Sequence, residues 1–465
     1  MFIIFILSHT PHSPIFTLCS CSSHLIKMGF CSLTFNYQLF FFFFCLLSLL
    51  FPSSFSSSFS SDSPCSALLH FNNSLSLDSS ASLPLDTTDY YDSDYRSNIK
   101  MCDNSYPKTG SWKEDKDCCS WDGVECDNAT RHVIGLDLSC SWLSGSIHSN
   151  SSLFLLRHLR SLNLAGNFFY YSLIPSEFGN FKTLTHLNLS GSGFSGKIPY
   201  EISQLSSLVS LDLSYNWLVI KTPVWKGVVH NLTLLRELLL DNTNMSSIRP
   251  NSLMNLSSSL TTLSLHYCDL RGKLENNILC LPSIQTLELG LNVNLEGSLP
   301  NSNCNSSSSL KFLDLSYTRL LGELPDSIGS LKSLKHLNLH NCNFTGSIPT
   351  SIGSLTQMTV LILSNNNFTG PIPTSHGNLT QITYLDLMGN KFTGPIPSSL
   401  ENLTQITHLI LSYNNLTGSI PSSLGNLTQI TYLDLSYNSF RGEILLPLLN
   451  FRCFWHRHEL TISNY

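Results

Sequence analysis

The sequence predicts an α/β-type repeat solenoid, and three observations carry that prediction. The pattern Leu-x-x-Leu-x-Leu-x-x-Asn-x-Leu returns thirteen times between Val133 and Ile444. Its last six returns are spaced 24 residues apart, and many coils close on Gly-x-Ile-Pro, as at Gly346 to Pro349 and Gly418 to Pro421. Self-similarity at such a period marks stacked supersecondary units, none of which can bury its apolar face alone.

In chain order, residues 1–61 read as a signal-peptide region. The uncharged run Leu39 to Phe51, with five consecutive phenylalanines, is too short for an ordinary membrane span, and the Ser-rich stretch Ser53 to Ser61 offers small residues for cleavage. Met28 is an alternative start, because a signal core near residue 39 lies deep when counted from Met1. Residues 62–130 are not repetitive and hold Cys65, Cys102, Cys118, Cys119 and Cys126. They are expected to form an N-terminal cap, since a solenoid end exposes a raw apolar cross-section that a disulfide-bonded module can seal.

Residues 131–444 are the leucine-rich repeats. The second leucine of each Leu-x-Leu serves as a marker: Leu138, Leu164, Leu189, Leu213, Leu240, Leu265, Leu289, Leu315, Leu339, Leu363, Leu387, Leu411 and Leu435, hence coils 1 to 13. Each coil should run as a short strand at Leu-x-Leu, a turn, and a return segment in which Pro blocks a helix. Three places after the marker stands an Asn in seven coils, and Ser, Thr or Cys in the rest. A buried Asn there can donate and accept to turn backbone groups that would otherwise go unpaired at about 1 to 3 kcal/mol each. Residues 445–465 form an irregular tail without repeat, paired-cysteine cap or run of about 20 apolar residues.

Charged residues make up 12% of the chain and its net charge is −6, so nothing like a basic face for a nucleic-acid backbone is present. Acceptors for N-glycosylation are dense, among them Asn343, Asn367, Asn378, Asn402, Asn415 and Asn426, and Asn378, Asn402 and Asn426 recur at one place in three consecutive coils. That recurrence favours a secreted, glycan-coated surface. Cys280 and Cys304 each lie fifteen residues after their markers in adjacent coils. Stacked strands lie about 4.8 Å apart, inside the distance a disulfide bridges, so these two are expected to pair. Cys268 and Cys342 stand in the Asn slot three coils apart and read as buried free thiols.

No catalytic signature appears. Gly191, Gly193 and Gly196 satisfy G-x-G-x-x-G but lead into Ile198-Pro199 rather than opening a helix after a strand, so no cofactor is expected. His456 and His458 on the tail read as solvated side chains, and no metal is expected. The expected working surface is the concave sheet, where residues flanking the buried leucines point away from the core. Departures from the repeat consensus gather there in one strip of Phe312, His336, His340, Val360, Ile362, Tyr384, Met388, His408, Ile410 and Tyr432. Aromatic anchors of this kind suit a protein or peptide ligand, and His336, His340 and His408 would make contact sensitive to an acidic extracellular fluid.

The run Cys118-Cys119-Ser-Trp121-Asp-Gly123-Val-Glu-Cys126, followed by Leu136-Asp-Leu138-Ser and repeats ending in Gly-x-Ile-Pro, resembles the extracellular part of plant leucine-rich-repeat receptor-like proteins of the disease-resistance type. The resemblance covers about residues 62 to 444. It implies a plant-type superhelix with cap disulfides Cys65 with Cys118 and Cys119 with Cys126. Cys102 is left unassigned, with Cys140 a candidate partner. It further implies a non-catalytic plasma-membrane recognition protein in plant defence, which binds a peptide or protein and signals through a leucine-rich-repeat receptor kinase as co-receptor. Against that pattern the chain reads as truncated before its C-terminal cap and membrane span, or as a secreted short form. The alternative function is a secreted inhibitor of a cell-wall-degrading enzyme, similar to polygalacturonase-inhibiting proteins.

Overall fold

The computed structural model describes residues 63–82, 102–274, 278–299, 301 and 309–442. The signal region, Cys304 and the tail with His456 and His458 lie outside the described residues, and with them the Cys280–Cys304 pairing.

The cap begins with helix α1 (Pro64–Asn73). Ser63 caps it by accepting from the Ser66 amide at 3.2 Å, Pro stands in its first turn, and Ala67, Leu68 and Phe71 are buried. Disulfides join Cys65 to Cys118 and Cys119 to Cys126, the pairs the resemblance implies, and a third joins Cys102 to Cys140 of the first coil. Trp112 stacks on Trp121 at 5.1 Å, and both are buried. Val124–Cys126 then pairs antiparallel with Val133–Asp137, so the cap supplies the first strand of the solenoid's own sheet.

With that cap strand the sheet has 14 strands in sequence order, and the thirteen that follow the cap strand run parallel and in register, one per coil. Leu337, Leu361, Leu385, Leu409 and Leu433 pair directly, one per coil, with their side chains in the core. The turn that leaves each strand is as regular as the strand. In all thirteen coils the second residue after the marker has φ between 51° and 65°. Gly166, Gly191 and Gly389 adopt this left-handed conformation freely. Tyr215, Tyr267, Tyr317, Tyr413 and Tyr437 adopt it at a steric cost of about 1 to 2 kcal/mol each, which the stack must offset.

The Asn slot does so. Asn167 Nδ2 donates to the Leu138 carbonyl of the coil before (2.8 Å) and to Leu164 of its own (2.9 Å), while its Oδ1 accepts from Ser141 N and Leu143 N of the coil before. Asn216, Asn292, Asn366, Asn390 and Asn414 likewise bond the marker carbonyls of their own and the preceding coil. Where another residue fills the slot, part of this survives: Ser192 Oγ, Cys268 Sγ and Cys342 Sγ donate to the preceding marker carbonyl at 2.7, 3.1 and 3.1 Å. Both cysteines are buried free thiols, and burial raises both, Cys342 to about 11.

The return segment holds more structure than the sequence suggests. An eight-stranded parallel lateral sheet follows the turns from Arg271–Lys273 to Ser439–Phe440. In it Phe344, Phe368 and Phe392 stack at 6.1 and 6.2 Å, fully buried. After the Pro that ends Gly-x-Ile-Pro comes a 3-10 helix, such as Thr350–Ser354, which buries Ile352. Gly353 there is required by proximity, because a Cβ on it would strike the Ser375 carbonyl oxygen of the next coil. Coil 4 is longer, and an α-helix, α2 (Thr222–Asn231), replaces the 3-10 turn and buries Val224, Trp225 and Val228. Among the described residues no helix is long and apolar enough to cross a membrane.

Candidate ligand-binding strip

In-register stacking turns single residues into lanes. Phe312, His336, Val360, Tyr384, His408 and Tyr432 are Cα partners in consecutive strands, each one place before a core leucine. Ile362 and Ile410 lie in the next lane among Asp314, Asn338, Asp386 and Asp434. His340 and Met388 stand just beyond the strands. All ten strip residues therefore share the outer face of the long sheet, and all are half-buried.

The first lane holds two stacks of rings, one on either side of Val360. His336 stacks on Phe312 at 4.1 Å, and His408 lies between Tyr384 at 5.2 Å and Tyr432 at 5.8 Å, all nearly parallel. Strand spacing of about 4.8 Å sets this geometry, so the rings are pre-ordered and a partner would not bear the cost of fixing them. Beside the lane, the hydroxyls of Thr359, Thr383, Thr407 and Thr431 each donate to the carbonyl one coil earlier, at 2.9 to 3.2 Å, which ties that border together from coil to coil.

The three histidines differ. Burial against Phe312 pushes His336 down to about 4, so it stays neutral in a fluid near pH 5.5, and the expected acid sensitivity does not extend to it. His340 instead belongs to a polar chain: its Nε2 lies 3.1 Å from the Tyr317 hydroxyl, its Nδ1 lies 2.7 Å from Ser364 Oγ, and Ser364 donates to Asp386 Oδ2 at 2.6 Å. His408 Nδ1 meets the Thr407 hydroxyl at 2.9 Å.

Tyr317 is the site residue that lane-by-lane reading passes over, since it stands in the left-handed turn and not in a strand. The repeated Leu-Ser-Tyr is its only signal. A second missed feature is an exposed aromatic group of Tyr170, Tyr171 and Trp217 around Phe168, with Tyr171 and Trp217 4.6 Å apart. Further toward the cap the strip's face becomes acidic, and burial raises Asp212 and Asp241.

Six glycosylation acceptors in the coils of the strip lie off this sheet. Asn343, Asn367 and Asn415 open strands of the lateral sheet, Asn378, Asn402 and Asn426 close 3-10 helices, and all six are exposed. Gly191 and Gly193 sit in a turn that leads into the strand Ser195–Lys197, Gly196 lies within that strand, and the three open no helix. Among the described residues the one tight group of metal-ligand types is Cys65, Asp117 and Cys118, whose two sulfurs are bonded to each other.

Comparison with known proteins agrees with this architecture. Family models match as "Leucine-rich repeat region" over residues 277–462, "Leucine rich repeat" over 157–218 and "Leucine rich repeat N-terminal domain" over 96–127. The chain is 44% identical over 202 residues to Receptor-like protein 6 of Arabidopsis thaliana, which covers 42% of this chain and 20% of that protein. It is 40% identical over 227 residues to Receptor-like protein Cf-9 of Solanum pimpinellifolium, which covers 49% of this chain and 25% of that protein. These matches span about a quarter or less of the length of those relatives. Among solved structures it is similar to the plant peptide hormone receptor RGFR1 in complex with RGF2, with a TM-score of 0.55 and 27% identity over 71% of this chain and 62% of that one.

Proposed function

The chain belongs to the plant leucine-rich-repeat receptor-like proteins, and from that membership we propose that it is a non-catalytic recognition module whose strip on the long sheet holds a peptide or protein ligand at the cell surface in plant defence. One observation carries the proposal: the pre-stacked rings of Phe312 with His336 and of Tyr384, His408 and Tyr432, on either side of Val360, lie on a face that the six acceptors named above leave uncovered, while those acceptors are exposed on the other faces. Glycans of ordinary size on Asn343, Asn367, Asn378, Asn402, Asn415 and Asn426 would shield everything around the strip and leave the rings open. The likeness to a peptide hormone receptor supports a peptide as the ligand. Signalling would pass to a leucine-rich-repeat receptor kinase acting as co-receptor.

The test is direct. The secreted, glycosylated protein is immobilised and exposed to fractionated extracellular fluid, beside a variant with Tyr384→Ala and His408→Ala. A ligand retained by the native protein and lost at least tenfold by the variant supports the proposal. Equal retention sinks it. Retention of a wall-degrading enzyme with loss of its activity would replace it by the inhibitor reading.

A further inference from the structure

The protonation state of the chain through His340 can be read from its geometry. Ser364 has one hydroxyl hydrogen, and it points at Asp386 Oδ2, 2.6 Å away, on a carboxylate that also accepts from the Met388 amide at 2.9 Å. Toward His340 Nδ1, at 2.7 Å, Ser364 can therefore only accept, so Nδ1 carries the hydrogen. In the neutral ring Nε2 is then a bare lone pair, and the Tyr317 hydroxyl 3.1 Å away must be the donor. Four consecutive coils thus contribute one link each: Tyr317, His340, Ser364 and Asp386.

Resting on the proposed ligand strip, we propose that Tyr317 and His340 are specificity-determining residues, and that the proton on His340 decides which hydrogen-bonding character the strip shows its ligand at this point. When His340 takes up a proton, Nε2 becomes a donor and the Tyr317 oxygen must accept from it. The phenolic hydrogen then has to turn away from the histidine. The same hydroxyl that gave its hydrogen to His340 now offers it away from that ring. The charged ring is supported from behind, because Ser364 relays the Asp386 carboxylate to Nδ1.

Among the described residues, the groups hydrogen-bonded to His340 include the Tyr317 phenol from coil 8 and Ser364 from coil 10, which leads on to Asp386 of coil 11. Asp314 lies behind Asn338, which donates to it at 3.2 Å, and on the same coil His336 is turned to Phe312. The ligand class that gains on acidification is one with an acceptor, a carbonyl or carboxylate oxygen, opposite Tyr317. A ligand with an N–H there gains at neutral pH.

Two measurements test this. In protein labelled with carbon-13 at the tyrosine Cζ, the signal removed by Tyr317→Phe should titrate together with the His340 imidazole, and His340→Gln should abolish that titration. A Tyr317 signal that stays flat while His340 titrates overturns the inference without reference to any ligand. Random peptides displayed on phage and selected on the native protein at pH 5.5 supply the binding probe. Clones lost by the Tyr384→Ala, His408→Ala variant occupy the strip. Among these the native protein should bind at least fivefold tighter at pH 5.5 than at 7.0, and Tyr317→Phe should bring that ratio near one. An unchanged ratio in Tyr317→Phe overturns the inference while leaving the strip standing, whereas clones indifferent to Tyr384→Ala, His408→Ala overturn the strip itself.

Discussion

The imidazole of His336 lies flat on the ring of Phe312, centroids 4.1 Å apart and planes 13° from parallel. That contact takes a titratable ring out of water on one face and lowers it to about 4, against about 6.5 for an unperturbed histidine. Folding therefore favours the neutral ring. The stability this histidine leaves in place is complete above about pH 6.5, falls as the unfolded chain takes up its proton between 6.5 and 4, and is level below that. His336→Phe should lose less stability than the native protein between pH 7.0 and 5.5, by about 1 kcal/mol. Chemical denaturation at the two pH values checks it, and parallel losses would show the ring to be solvated.

His376 sits where neighbouring coils place Ile352 and Leu400, fully buried in the core, with Nδ1 3.1 Å from the Pro373 carbonyl. Its Nε2 has no hydrogen-bond partner among the described residues, and burial lowers it to about 4. His376→Leu should stabilise the protein by about 1 to 3 kcal/mol at pH 7, because a buried unsatisfied polar atom is exchanged for a methyl group. The gain should widen at pH 5.5 by the same sign argument as for His336. Melting temperatures at both pH values give the readout, and a destabilised variant would mean that the imidazole fills its space better than leucine.

Asn390 bonds the carbonyls of Leu363, Leu387 and Met388 and accepts from the Phe368 amide. Asn390→Ala should cost about 3 kcal/mol by orphaning several of these groups at once. Asn390→Thr should cost clearly less, since Thr318 fills the same slot and donates to the Leu315 carbonyl at 2.7 Å. Hydrogen exchange at Phe368 and its neighbours distinguishes the two, and equal costs would refute this account of the slot.

Gly353 faces the Ser375 carbonyl so closely that a methyl group cannot be accommodated without backbone movement. Gly353→Ala should destabilise the interface between coils 9 and 10 by at least about 2 kcal/mol, although alanine is the better residue in a helical turn. Limited proteolysis and thermal melting would register it. A neutral substitution would mean that adjacent 3-10 turns are free to separate.

What the sequence made legible followed from repetition. The marker leucines, the Asn slot and the lanes are each fixed by a residue type returning in phase, and the two ring stacks between Phe312 and Tyr432 follow from lanes plus in-register strands. The lateral sheet was not legible, because Asn-Phe-Thr-Gly is short and ends in a glycine with positive φ, as at Gly346, so it reads as turn. Tyr317 was passed over because its backbone is left-handed, which swings its side chain out of the alternation used to assign faces. The lowered proton affinity of His336 depends on what lies against the ring, and spacing alone does not encode desolvation. Cys102 with Cys140 was left open because the resemblance assigns Cys102 no partner.

The asparagine clasp has a direction. Asn167, Asn216, Asn292, Asn366, Asn390 and Asn414 each reach back to the marker carbonyl of the coil on the cap side. A coil is therefore finished by its successor. Loss of the asparagine from any one coil strips its predecessor of a bond while leaving its follower's clasp in place. Among the described residues the three disulfides lie in the cap and the first coil, so along the repeats the turn of each coil leans on the coil that follows it.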